Sequence, residues 1–64
     1  MVDLDGQALV PGDTVESLRY DLGACLIVKG TDGFVYESLE TSKQVSWVKM
    51  VDASTKFQKV IKIK

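Results

Sequence analysis

The chain has no histidine, and only one cysteine, one arginine and one proline among its 64 residues. Each scarcity removes a class of function. Without histidine, the commonest general base and activator of nucleophiles is missing, so Cys25 and the serines lack their usual partner. The carboxylates Asp3, Asp5, Asp13, Glu16 and Asp21 fall in or near turn-like stretches, where solvated surface acids are expected, and the chain reads as non-enzymatic. One cysteine cannot supply the three or four ligands that zinc takes, so neither metal nor cofactor is expected. Calcium fails on spacing. Asp3-Leu4-Asp5-Gly6 has the opening letters of an EF-hand loop, but the later ligand positions hold Gln7, Leu9 and Thr14. Gly30-Thr31-Asp32-Gly33 lacks the glycines of a dinucleotide fingerprint and precedes a strand rather than a helix. A lone Cys25 makes no internal disulfide, and in the most apolar run of the chain it reads as a small buried hydrophobe. Long apolar runs are also missing. No stretch approaches the ~20 residues of a membrane span, and the N-terminus has neither the basic region nor the apolar core of a signal peptide, so a cytoplasmic protein is expected.

What is present is ordinary globular composition, 45% apolar and 27% charged, enough for one small domain spanning residues 1–64 with one core. The net charge of −1 is unevenly spread: residues 1–32 hold six acids and two bases, residues 33–64 three acids and six bases. Four of the bases, Lys56, Lys59, Lys62 and Lys64, fall in the last nine residues.

The most regular stretch runs from Ala24 to Val51 and predicts a three-stranded antiparallel meander. Ala24 to Lys29 leads into Gly30-Thr31-Asp32-Gly33, whose glycines allow the positive φ of a tight hairpin. Phe34 to Leu39 then reaches the polar reversal Glu40 to Lys43, and Gln44 to Val51 forms the third strand. Ahead of the meander, Pro11-Gly12-Asp13 is a turn signal. Thr14 to Leu22 admits two readings. Val15, Leu18 and Leu22 have helical spacing with Asp13 and Glu16 as a capping box, whereas Thr14, Val15 and Tyr20 favour a strand that would cover an edge of the meander. The strand is preferred because it agrees with the rest of the fold. After a turn at Asp52 to Thr55, the β-branched Val60, Ile61 and Ile63 make Phe57 to Ile63 a final strand, with lysines that keep one face wet and guard an edge.

Five short strands with turns about every ten residues predict an all-β domain, a small five-stranded SH3-like barrel built on the meander, because 64 residues are too few for a sandwich. The expected core is Val15, Cys25, Ile27, Val35, Val45, Val48, Met50, Phe57 and Ile61, with Trp47 at least half buried. Leu9-Val10-Pro11-Gly12-Asp13-Thr14-Val15 resembles the lead-in to the first strand of SH3-like barrels. With Asp5-Gly6 it looks most like the C-terminal domain of PhnA-type bacterial proteins, and more loosely like KOW-type domains. The resemblance covers residues 5–15, implies a fold and carries over no functional residue; the later strands do not match, and the zinc-ribbon cysteines that precede the PhnA barrel are absent. The chain also has the general look of small bacterial proteins.

Two functions from different classes fit this frame. As a protein-interaction module, the chain would use Tyr20, Tyr36 and Trp47 as an aromatic patch that anchors a peptide or protein, unless those rings complete the core instead. As a single-stranded nucleic-acid binder, it would use Lys43, Lys49, Lys56, Lys59, Lys62 and Lys64 for phosphates, with aromatic rings for stacking. The acidic first half and the single Arg19 make the interaction module the preferred reading, for a monomer or weak homodimer.

Overall fold

A computed structural model describes residues 1–63. The strands are β1 (Thr14–Ser17), β2 (Ala24–Gly30), β3 (Gly33–Ser38), β4 (Gln44–Ser46) and β5 (Val60–Lys62), and a 3₁₀ turn covers Trp47–Met50. All five strands belong to one antiparallel sheet in the order β4-β3-β2-β1-β5. The domain is therefore all-β, with the expected meander forming β2, β3 and the edge strand β4. Gly30 pairs with Gly33 across the two-residue loop Thr31-Asp32, and the φ of +123° at Gly33 is one that a side chain would resist. At Pro11-Gly12 the turn closes through Asp13 N–H to the Val10 carbonyl at 3.1 Å, and the Asp13 carboxylate returns the bond by accepting from Val10 N–H at 3.0 Å.

β4 and β5 are the two edges of the sheet and are not paired with each other. The 3₁₀ turn and an isolated Val51–Gln58 bridge span the gap between them, with Lys59 N–H donating to the Met50 carbonyl at 2.6 Å. The outer side of β5 is covered by the N-terminal segment. A Val2–Ala8 bridge folds that segment back on itself, Leu4 N–H donates to the Val60 carbonyl, and Gln58 N–H donates to the Val2 carbonyl. Asp3 fastens it. One carboxylate oxygen accepts from the Asp5 and Gln7 backbone N–H groups at 3.0 and 2.8 Å, and the other from the Lys62 backbone N–H at 2.8 Å.

Three expectations change in detail. Thr14 to Leu22 is a strand only as far as Ser17, whose hydroxyl then bonds both backbone groups of Arg19 and turns the chain away. Gln44 to Val51 is a strand only as far as Ser46. An extended Trp47–Met50 would send Trp47 and Met50 to opposite faces, whereas the three-residue period of a 3₁₀ turn places both on one side. Met50 is accordingly buried, Trp47 packs against the core, and Val48 turns out to solvent at 55% exposure. The last strand is shorter than Phe57 to Ile63 and shifted in phase, since Val60 rather than Ile61 is buried. Lysines alternate with apolar residues on both of its faces, so the pattern alone did not choose between them.

The core consists of Leu9, Val15, Leu22, Cys25, Ile27, Tyr36, Met50 and Val60, with Met1, Phe34, Val45 and Trp47 packed around it. Val15, Cys25, Ile27 and Met50 are where the sequence placed them. Val35 and Ile61 are only partly buried, each next to the residue its strand turns inward, Tyr36 and Val60, and Phe57 is partly buried in the bend before β5. Three polar side chains, Asp3, Ser38 and Gln58, are also buried, and no buried side-chain polar atom lacks a hydrogen-bond partner among the described residues. Nor does any described helix have the length and apolarity to cross a membrane.

Candidate functional site

The β1–β2 connection carries the largest departure from low-energy backbone. Ser17 N–H donates to the Gly23 carbonyl at 2.9 Å, closing the loop, and Leu18 N–H is held by the Lys59 carbonyl at 3.0 Å. At the far end Leu22 enters the core, and its carbonyl accepts from the Ser38 hydroxyl at 2.8 Å. With both ends fixed, the tip turns through two successive non-glycine residues in the left-handed region, Tyr20 at φ 61° and Asp21 at φ 51°. A side chain there costs about 1 kcal/mol or more. The tip is pushed outward, leaving Leu18 49% and Tyr20 52% exposed.

Arg19 and Tyr20 bind the tip to the neighbouring 3₁₀ turn. Arg19 Nη1 donates to the Lys49 carbonyl at 3.0 Å, and the Tyr20 hydroxyl approaches the same oxygen at 3.5 Å, the outer limit of a hydrogen bond. The Arg19 guanidinium also lies 5.5 Å from the Tyr20 ring centroid, within cation–π range. Exposed Val48 is the residue before Lys49, and exposed Leu18 precedes Arg19 on the loop, so both aliphatic residues are chain neighbours of the Arg19–Tyr20–Lys49 contact. Tyr20 also lines a shallow hollow with Asp21, Leu22, Thr41 and Lys43.

Of the three aromatic residues expected to form a binding patch, only Tyr20 presents an exposed ring. Tyr36 must be removed from it: the side chain has no exposed surface, pairs opposite Ile27 in the sheet, and donates its hydroxyl to Gln58 Oε1 at 2.8 Å. Burial, with Cys25 and Asp3 nearby, pushes its phenol far above the ordinary tyrosine range. Trp47 is more than half buried, with its indole over the bare face of Gly33, where an added Cβ would lie 2.7 Å from Nε1. Leu18 and Val48 were missed as surface residues. The sequence pattern assigns Val48 to the core and marks Leu18 only by its helical spacing with Val15 and Leu22.

The lysines do not form one stripe. Lys43 lies by the hollow, Lys49 on the 3₁₀ turn, and Lys56 in the turn before β5 at φ 67°. Lys59 pairs with Asp52 at 3.6 Å, and Lys62 with Asp13 at 3.5 Å. Lys64 lies outside the described residues. Asp52 is held below the usual carboxylate range by the backbone N–H and hydroxyl of Thr55, with Lys59 adding to the effect. Elsewhere, burial raises the Cys25 thiol, the direction that makes it unreactive. Among the described residues, no group of three or more His, Cys, Asp or Glu side chains is gathered as a metal site would require. No family model, curated protein or solved structure matches the chain.

Proposed function

We propose that this chain is a non-enzymatic protein-interaction module, a small SH3-like frame whose contact surface is the β1–β2 tip and the adjoining 3₁₀ turn. The observation that carries this reading is the exposure of Leu18 and Tyr20 on the tip, together with Val48 next to the Lys49 carbonyl that Arg19 and Tyr20 share. Large side chains held outward on a pinned loop offer contact area with little ordering left to lose. Surface loops positioned by a rigid sheet are also where binding residues concentrate. The nucleic-acid reading ranks second, because Lys59 and Lys62 already carry carboxylate partners and the remaining lysines are dispersed.

The test is affinity capture from a lysate of the source organism with the wild-type chain and with Tyr20→Gly. Glycine tolerates φ 61° better than tyrosine, so the variant removes the ring without straining the loop. A protein retained by the wild type and lost by the variant supports the reading; identical retained sets from the two baits would sink it.

A further inference from the structure

Arg19 is oriented without being neutralised. Its guanidinium is held by a carbonyl oxygen and an aromatic ring, neither of which cancels its charge, and no carboxylate lies within ion-pair distance of it among the described residues. Lys43 and Lys49 likewise form no ion pair among the described residues, whereas Lys59 and Lys62 each have an acid. Arg19 and Lys49 are two basic residues without acids next to exposed Tyr20 and Val48, while Lys29 and Lys56, also without acids among the described residues, lie elsewhere. Of the acids by the loop, Asp21 lines the hollow together with Tyr20 and Lys43, and the Glu40 carboxylate lies against Gly23. Arg19 and Lys49 thus put two basic residues without acid partners at the 3₁₀ turn.

From this juxtaposition we infer that the tip binds a short acidic peptide, seating an apolar side chain against Leu18, Tyr20 and Val48 and a carboxylate on Arg19. The inference rests on the interaction-module reading and specifies its partner. Only Nη1 of Arg19 is engaged by the Lys49 carbonyl, which leaves the other N–H groups of the planar fork for a carboxylate, an acceptor that arginine takes with two parallel bonds. Because the guanidinium is already fixed, less side-chain freedom is lost on binding. Lys49 adds a second positive charge beside it. A basic or neutral peptide would gain the apolar contact alone.

The experiment is a ¹⁵N NMR titration of the full chain with three peptides that share one Leu-Phe core and are flanked by glutamate, by serine or by lysine, together with a single-stranded oligonucleotide. The expected result is shifts confined to Leu18–Asp21 and Val48–Met50, with the glutamate peptide binding at least ~10-fold tighter than the serine peptide, the scale of one good charge-assisted contact. That advantage should vanish in Arg19→Gln and fall only partly in Arg19→Lys, which keeps the charge and loses the fork. Arg19 is exposed, and an unchanged amide spectrum away from the tip establishes that each variant is folded. Equal binding of the serine peptide, or tighter binding of the lysine peptide, overturns the acidic partner and leaves the interaction module standing. No binding by any peptide, or binding by the oligonucleotide alone, overturns both.

Discussion

Asp3 is a buried carboxylate on which three backbone N–H groups converge, and replacing it tests how the N-terminal segment is held. The side chain has no exposed surface, although its neighbours Asp5, Gly6 and Gln7 are exposed, so it lies just beneath the surface. Asp3→Ala removes the acceptor from the N–H groups of Asp5, Gln7 and Lys62 together. Taking the low end of the cost of an orphaned donor, because water can reach the first two, the loss is about 3 kcal/mol. A domain of this size has roughly 3–10 kcal/mol in all, so the variant should be close to unfolding. Asp3→Asn keeps one oxygen, but its amide N–H faces a donor, and about 2 kcal/mol should be lost. Urea unfolding followed by Trp47 fluorescence reads both: with a slope of about 1 kcal/mol per molar, the Asn midpoint should fall by about 2 M. The pH dependence separates the charge from the shape. Burial acts to raise the Asp3 pKa, but the N–H groups of Lys62, Gln7 and Asp5, with the positive charge of Lys62, outweigh it and hold the pKa below its ordinary value. A carboxylate depressed in the folded state contributes stability that is fully present above its unfolded pKa of about 3.9 and disappears as pH falls through the folded value. The gap between wild type and Asp3→Asn should therefore narrow below about pH 4, while the acid sensitivity due to Asp52 persists in both. Midpoints within 0.5 M of wild type (about 0.5 kcal/mol) for Asn and Ala alike, or a gap unchanged by acid, would refute this account of the segment.

Tyr36→Phe leaves Gln58 Oε1 without its donor in the core and should cost about 1–2 kcal/mol in a urea melt; a loss under about 0.5 kcal/mol would mean that water or a rotated Gln58 replaces it. The raised pKa of Tyr36 stabilises the fold at pH values below the unfolded tyrosine value of about 10 and fails as pH rises through the folded one, so its ionisation, followed by ultraviolet absorbance, should coincide with alkaline unfolding. Gly33→Ala meets both a φ of +123° and the Trp47 indole at 2.7 Å, whereas Gly23→Ala meets a φ of +69° and only the end of the flexible Glu40 side chain. The first should destabilise by about 2 kcal/mol or more and alter Trp47 fluorescence, and the second by less; the reverse order would contradict the packing of Trp47 on the hairpin. Lys56→Gly relieves a left-handed side chain in an exposed turn and should raise the thermal midpoint slightly, a gain of up to about 1 kcal/mol after the entropy of glycine is allowed for.

The parts of the fold legible in the sequence are those set by local chemistry. Gly30 to Gly33 announced a hairpin by composition alone, and Pro11-Gly12-Asp13 a turn, because glycine and proline change the backbone energy where they stand. Side-chain faces were less legible. In Phe34 to Leu39 each face of the strand holds two large apolar residues and one polar residue, and the inward choice depended on Gln58 and Leu22, far along the chain, bonding the hydroxyls of Tyr36 and Ser38. Asp3 carried the right signal for a turn and none for its burial, since its third donor, the Lys62 amide, is 59 residues away. The same blindness affected the candidate site. Tyr20 could be named as a candidate aromatic, though on a strand, and it lies on a loop with Leu18, while Val48 is exposed, because β1 stops at Ser17 and the third strand of the meander gives way to a 3₁₀ turn.

The conformation of Tyr20 bears on what the ring is for. Glycine at φ 61° would spare the loop about 1 kcal/mol of strain, and a ring that is 52% exposed, with a hydroxyl 3.5 Å from its acceptor, returns only part of that to the fold. Tyr36 shows the contrast. There a tyrosine buries its whole side chain and satisfies its hydroxyl at 2.8 Å, which accounts for it through stability. For Tyr20 the folded chain alone supplies no comparable return, and the same holds for Arg19, whose charge the fold orients and leaves without an acid. A ring that the loop holds outward at a backbone cost and, next to it, a guanidinium fixed without an acid are the pair that a partner, as proposed, would complete. On the acidic-peptide proposal Arg19 and Tyr20 act as one unit, so the effects of removing them on peptide affinity should be non-additive, while Asp3 and Tyr36 should act on stability alone.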